Sequence, residues 1–237
     1  MTPSYSLALL TAPPTWCGQV LSGRTLKLLA ALASSQEVRV SDGALIEALW
    51  PDDAPARPLR ALHVVVSRAR AAVGEDVVER VGDGYRLALP AADVDAHDLS
   101  DRAIRARACA AEGQWDQVLD LTDSLPQIPA RADADVVGAE TSSFAQLRER
   151  AAAHAEAARR DRALALEATG EHEQAAELLR EAAQRDAGDE TVLAALIRAE
   201  SWARSPAAAL EIYEQLWNRW PFIRVCASPP AMLKNTR

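Results

Sequence analysis

The chain has 237 residues, a formal net charge of −8, 49% hydrophobic residues and only 5% aromatic ones. Alanine supplies much of the hydrophobic share, which favours alanine-rich helical packing over a large sheet, and the length allows one large domain or two small ones. No run approaches the roughly 18 apolar residues of a membrane span, and no basic start leads into an apolar N-terminal core, so a cytoplasmic protein without a membrane partner is expected. Cys17, Cys109 and Cys226 are odd in number, far apart and in no metal-ligand spacing, which points to reduced thiols. The acid is unevenly spread: residues 1–90 hold 9 Lys/Arg and 9 Asp/Glu, whereas residues 91–237 hold 17 and 25.

In chain order, Tyr5 to Leu10 and Gln19 to Leu21 read as short strands separated by the turn-rich segment Thr11-Ala12-Pro13-Pro14-Thr15. A compact helix follows over Arg24 to Ala33, with Leu26, Leu29 and Ala33 at helical spacing, and Glu37 to Val40 is a short extended piece. Ser41 or Asp42 caps the next helix, whose buried side is Leu45, Ile46, Leu49 and Trp50. Pro51 ends it, and Pro55 and Pro58 restrict the following loop.

The run Arg57 to Val73 is the most informative. At about 100° per residue, Leu62, Val66, Ala69 and Val73 fall on one stripe. Arg60, Val64, Ser67 and Ala71 stand opposite, with His63 and Arg68 at the margins, and no acid lies between Arg57 and Arg70. Small residues permit close approach of a backbone, and arginines grip phosphate or read guanine edges. A solvated basic face is the alternative for this stretch taken alone. Beyond Gly74, Val77 to Val81, a Gly82-Asp83-Gly84 turn and Tyr85 to Leu89 form a hairpin signal. Strands, helix, strand, helix, loop, basic helix and hairpin in this order make an N-terminal α+β winged helix-turn-helix, with Arg57–Val73 as recognition helix and 77–89 as wing.

From Ala91 the composition turns to Ala, Glu, Arg and Leu, and helices are predicted over 95–112, 114–123, 141–169, 172–186, 189–203 and 206–219. Aligning Gly170 with Arg204 gives an offset of 34 residues, the tetratricopeptide period, with Ala175 over Ala209, Leu178 over Ile212 and Leu179 over Tyr213. A partial third copy begins at Gly113 and places Val118 and Leu119 at the same offsets. The expected architecture is a winged helix over 1–90 followed by an all-α tetratricopeptide-like domain over 91–237.

Ala44 to Asp53 (A-L-I-E-A-L-W-P-D-D), Leu62 to Arg70 (L-H-V-V-V-S-R-A-R) and Gly84-Tyr85-Arg86-Leu87 resemble the winged-helix domain of the Streptomyces antibiotic regulatory protein (SARP) family, itself related to the DNA-binding half of OmpR-type response regulators. OmpR-type regulators carry a receiver domain ahead of the winged helix, whereas SARP-type chains place the winged helix first, as here. The helical part resembles the family's bacterial transcriptional activator domain, and together the two resemblances cover about residues 5–216. Relatives continue through a Leu-Gly-x-x-Pro-x-Pro-Ala-Leu segment into one more helix. Here the Leu-Gly step is missing, so 217–237 is expected to be frayed or rearranged, and the 124–140 loop to be mobile. The resemblance implies side-by-side binding of two copies to short direct repeats near a promoter, an activating role in secondary metabolism and a nucleoid-associated location. It also implies contact with RNA polymerase through the loop between second and third helices, here Pro51 to Arg57 with Asp52 and Asp53 exposed.

No G-x-x-x-x-G-K-[ST], G-x-S-x-G or H-E-x-x-H motif occurs, so neither catalysis nor a cofactor is expected, and the ATPase module of larger family members has no counterpart here. His63, His97, His154 and His172 are too scattered for a metal set, and Asp95 and Asp98 beside His97 read as a helix cap between domains rather than an acid–base group. For double-stranded DNA, Arg60, His63, Val64 and Ser67 lie nearest base edges, with Arg60 the guanine reader. Arg68 and Arg70, flanking that face, are expected on phosphate, and Arg57 joins the DNA-binding set; Arg24, Thr25 and Lys27 either touch backbone or simply begin their helix, and Arg80 and Arg86 belong to the wing. Leu45, Leu49, Trp50, Leu62, Val66 and Tyr85 are assigned to core. The rival expectation is a tetratricopeptide-type interaction scaffold whose winged helix does not bind DNA.

Overall fold

The computed structural model describes residues 5–35, 38–126, 128 and 142–219. Glu37, most of the 124–140 loop and the tail after Arg219 therefore lie outside the described residues, and with them the expectations stated for that loop and for the chain end. Packing divides the chain into two compact units, Met1–Glu112 with Asp120–Ala158, and Gly113–Leu119 with Arg159–Arg237.

The first unit opens on an antiparallel sheet of β1 (Leu7–Ala8), β2 (Thr15–Trp16) and β3 (Gln19–Val20). Thr15 pairs in a strand rather than extending the turn as the sequence suggested: Trp16 pairs with Gln19, and Cys17 and Gly18 reverse the chain with φ of 45° and 80°. Two left-handed residues match the natural twist of a tight hairpin, and two-residue strands are too short to show periodicity. Helix α1 (Gly23–Ala33) is buried continuously from Leu28 to Ala33, which makes it the centre of this core. β4 (Val40–Ser41) leads into α2 (Asp42–Leu49), where the Ser41 hydroxyl accepts a hydrogen bond from the Ala44 N–H. α3 (Pro58–Val73) follows, with Pro58 in the first turn, where a missing N–H costs nothing.

Gly74 and a single 3-10 turn, Glu75–Val77, lead into β5 (Val78–Val81) and β6 (Gly84–Leu87), which form the wing. β4 adds to its free side, giving the order β4-β6-β5. Gly84 makes that third strand possible, since a Cβ there would sit 2.1 Å from the Val40 carbonyl oxygen.

The core does not stop where the composition changes. Val94 bridges to Leu7, and α4 (Asp95–Ala111) begins with a carboxylate turned inward. Asp95, 1% exposed, accepts hydrogen bonds from the Leu9 and Leu10 N–H groups at 2.9 and 2.7 Å and from the Ala96 N–H at 2.7 Å. Burial raises its pKa from the ordinary value, against the three N–H donors and His97, which pull it down. His97 Nε2 lies 2.7 Å from the Ala33 carbonyl oxygen at the end of α1, and the Tyr5 hydroxyl donates to Asp98 at 2.7 Å. The helix cap expected from the sequence is not made, since Val94 stands at the N-cap of α4 and no side chain caps it; Asp95, His97 and Asp98 instead clasp α4 to the N-terminal segment and α1. Phe144, Leu147, Ala151 and Ala155, early in α6 (Ser142–Thr169), complete the same core.

Among its described residues, the second unit consists of helices joined by short turns. Besides the later part of α6 it contains the start of α5 (Trp115–Thr122), then α7 (His172–Arg185), α8 (Glu190–Ala203) and α9 (Pro206–Arg219). Val118, Ala175 and Ala209 each take the fourth position of their helix and are all buried, so the sequence repeat is a repeat of packing. Glu200 is fully buried in α8 and accepts from Arg180 Nε at 2.6 Å. Asp189 caps α8 through the Thr191 and Val192 N–H groups, and the Arg160 guanidinium beside it holds its carboxyl below the usual range.

Replacing Asp95 with Ala strands two buried backbone N–H groups, each worth about 1–3 kcal/mol when left unsatisfied. Asp95→Ala should therefore lower the unfolding free energy by about 3 kcal/mol, read from urea denaturation followed by circular dichroism. A loss below about 0.5 kcal/mol would mean that the clasp does not hold the N-terminal sheet.

Candidate nucleic-acid interface

The geometry of α3 follows from which side the core claims. Leu62, Val65, Val66, Ala69 and Val73 are buried, so the stripe read from the sequence is correct but one residue too narrow at Val65. That burial fixes the rotation of the helix and turns Arg60, His63, Val64, Ser67, Arg68 and Ala71 outward, all exposed. Val64 is 45% exposed, a large apolar group left open in the middle of the face. Among the described residues, the side chains of Arg57, Arg60 and Arg68 meet no ion-pair or hydrogen-bond partner.

Beside this face, Arg24 and Thr25 of α1, Trp50 at the end of α2, and Ala61, Val64, Val65 and Arg68 of α3 line a depression of about 340 Å³. The Arg24 guanidinium lies 5.4 Å from the centroid of the Trp50 ring. Trp50 is accordingly half-buried rather than a full core residue, because α2 ends there and its ring becomes the wall on which Arg24 rests. The structure thus brings Arg24, Thr25, Val64 and Arg68 together, with Arg60, His63 and Ser67 on the same outward side of α3. The depression has a cationic rim and an apolar floor, a surface suited to a phosphate-bearing strand with sugar or methyl groups lying against Val64.

Other cations named from the sequence stand apart. Arg68 and Arg70 are two residues, or about 200°, apart on the helix, so they cannot flank one face. Arg70 turns inward instead: its Nε and Nη2 donate to the Val78 carbonyl oxygen at 2.9 and 2.7 Å, and its guanidinium lies 5.9 Å from the Tyr85 ring. It ties α3 to the wing, with both of those donors committed. Arg80 donates to both carboxylate oxygens of Asp42 at 2.8 and 2.9 Å and packs 4.6 Å from the Tyr85 centroid. The hydrogen bond to Asp42 is the main cause of its raised pKa. Arg86 donates to Glu79 at 2.6 Å. Asp52 and Asp53 are exposed in the loop between α2 and α3.

Residues 19–87 match the family described as transcriptional regulatory protein, C terminal, a family of regulators and not of enzymes. The regulatory protein AfsR of Streptomyces griseus is 32% identical to the chain over 111 residues, 43% of this chain. The chain spans 11% of the length of that AfsR. A solved structure of Mycobacterium tuberculosis EmbR in complex with a low affinity phosphopeptide has the same fold, with a TM-score of 0.71 and 20% identity, covering 90% of this chain and 59% of that one. Among the described residues, no helix is long and apolar enough to cross a membrane and no cluster of His, Cys, Asp and Glu is placed to hold a metal.

The pairings of three further participants carried no sequence signal. Asp42, besides opening α2, reaches Arg80 across 38 positions, and Asp83 pairs with Arg39. Trp50 acts as a wall only because α1 and α3 converge beside it. Each is a long-range pairing that no local pattern encodes.

Arg70 and Arg60 should separate in their effects. Arg70→Ala removes two charge-assisted hydrogen bonds and should cost about 1.5–3 kcal/mol of stability. Arg60→Ala should stay within about 0.5 kcal/mol of the parent. Thermal melts of the two variants check this, and equal shifts would contradict the division of the cations into an inner and an outer set.

Proposed function

We propose that this chain is a sequence-specific, double-stranded-DNA-binding transcription regulator, acting as an activator, that inserts α3 into a major groove. The observation that supports it is the outward face of α3: cationic, acid-free, unpartnered among the described residues, and continuous with the Arg24–Trp50 depression. On this reading Arg60, His63, Val64 and Ser67 meet base edges, with Arg60 bidentate to a guanine. Arg57, Arg68, Arg24 and Thr25 hold phosphates and set the register. Arg70 acts from behind by fixing the wing, and Arg80 and Arg86 contribute less than their charge suggests. Residues 1–90 carry the DNA-binding role and 91–237 an activator-type helical role, in a cytoplasmic, nucleoid-associated protein that needs no cofactor.

About three arginine–phosphate contacts give only modest affinity, with log K falling by roughly 0.9 per contact for each log unit of salt. Occupancy then depends on two copies side by side on direct repeats. The acidic excess of residues 91–237 keeps that part off the duplex and free for protein contacts.

Binding of the purified chain to fragments of its own upstream region, titrated with salt, tests the reading. Arg60→Ala should reduce discrimination between the selected site and random sequence by roughly 5- to 150-fold, the equivalent of about 1–3 kcal/mol. Arg68→Ala should weaken both alike. An interaction scaffold with a silent winged helix would show no salt-dependent affinity for any duplex, and that result would sink the proposal.

The loop from Pro51 to Arg57 is the proposed polymerase contact, with Asp52 and Asp53 as its exposed charges. Asp52→Lys/Asp53→Lys should abolish transcriptional activation while leaving promoter binding intact. Loss of both together would make the loop a structural element instead.

A further inference from the structure

The wing of a winged helix is positioned to lie along a duplex, yet here its cations are occupied by acids. Between Glu75 and Arg86 the chain carries Glu75, Asp76, Glu79 and Asp83 against Arg80 and Arg86. Arg80 pairs with Asp42, Arg86 with Glu79, and Arg39, which reaches the wing tip, with Asp83. On α3 the reverse holds, since Arg57, Arg60 and Arg68 are left open among the described residues.

The three pairs are not equivalent. Asp42 stands in the first turn of α2 with its side chain 16% exposed, and Arg80 also donates to the Gly82 carbonyl oxygen and packs on Tyr85. Arg80 is a strut that no phosphate will draw away. Glu79 and Asp83 are 47% and 74% exposed, and their partners Arg86 and Arg39 are 45% and 44% exposed. Surface pairs of this kind are weak in themselves. Even so, an approaching phosphate must displace a carboxylate and then lie beside it, so the second charge repels what the first attracts.

We propose that Glu79 and Asp83 are specificity-determining residues: by neutralising Arg86 and Arg39 they keep the wing from gripping phosphate, so that α3 supplies the affinity and unselected duplex is held poorly. This rests on the DNA-binding reading above. It assigns the acids of the wing a role opposite to that of the cations beside them. Loss of the acids increases total affinity and lowers the ratio of specific to non-specific binding.

The test compares the parent, Glu79→Gln/Asp83→Asn, and Glu75→Gln/Asp76→Asn on a random-sequence duplex and on an upstream fragment, across about 50 to 200 mM salt. The first variant frees two arginines, while the second removes the same charge from acids that hold none. The Glu79/Asp83 variant should bind random duplex on the order of tenfold more tightly at low salt, with a salt slope steeper by roughly 1.8, and its specificity ratio should fall. Adding Arg39→Ala and Arg86→Ala should reverse the gain. Slopes that match the parent, or an equal shift in the Glu75/Asp76 variant, overturn the proposal; if Arg60→Ala/Arg68→Ala still abolishes binding, the DNA-binding reading stands without it. Failure of both the parent and the freed variant to bind any duplex removes the reading and the proposal together.

Discussion

The rotation of α3 about its own axis is the constraint on which the rest of the interface depends. Leu62 and Ala69 are completely buried and Val66 and Val73 nearly so, packed with α1 and α2, and this stripe leaves one way for the helix to sit. Turning it by a single residue, about 100°, would bring polar or charged groups into the core, at a cost of several kcal/mol for any unpaired charge. The outward face is therefore set by the inward one. Arg70 secures this from the side, since its guanidinium spans from α3 to the Val78 carbonyl oxygen and fixes where the wing starts. At the other end of the sheet, Gly84 allows β4 to close against β6, which brings the start of α2, and with it Asp42, to Arg80.

The same economy governs the N-terminal sheet, whose strands of two residues could not persist alone. Asp95 holds them from outside the sheet by taking the N–H groups of Leu9 and Leu10 into one buried carboxylate, while Val94 bridges to Leu7. The change of composition at Ala91 therefore marks a change in secondary-structure type rather than a gap in packing. A stretch such as Ala91 to Asp95, where the composition turns just after Pro90, looks like a joint in sequence. Here it is the route by which α4 enters the first core, and Tyr5, held by Asp98, closes the same corner.

What could be read from sequence was what depends on neighbours within a helical turn or two. The Ser41 cap, the bounds of α3, the buried fourth position shared by Val118, Ala175 and Ala209, and the outward set on α3 all follow from local spacing. The features that escaped depend on partners far along the chain. β2 was hidden because two residues carry no period, and its reversal depends on Cys17 adopting a left-handed conformation, which sequence does not favour at a cysteine. Arg70 resembled Arg68 in type; the helical spacing turns it to the other side, and the location of Val78 makes it a tie. Trp50 looked like core because it is large and apolar, but α2 ends at that residue and leaves one side of the ring to Arg24.

Formal charge illustrates the same limit most sharply. Residues 1–90 are neutral by count, which by itself gives no preference for a polyanion. Paired charges cancel within a few ångströms and contribute little field at a distance, whereas open ones project theirs into solvent over roughly a Debye length of 8–10 Å. In this unit the acids Asp42, Glu79 and Asp83 have been spent on Arg80, Arg86 and Arg39, all in or against the wing. The arginines of α3 and the α1 start keep theirs. A chain with zero net charge over this stretch thus carries a positive patch on one side and, on the other, a wing whose cations are paired and whose Glu75 and Asp76 are left over. The boundary between them runs between α3 and the wing, along the line fixed by Arg70.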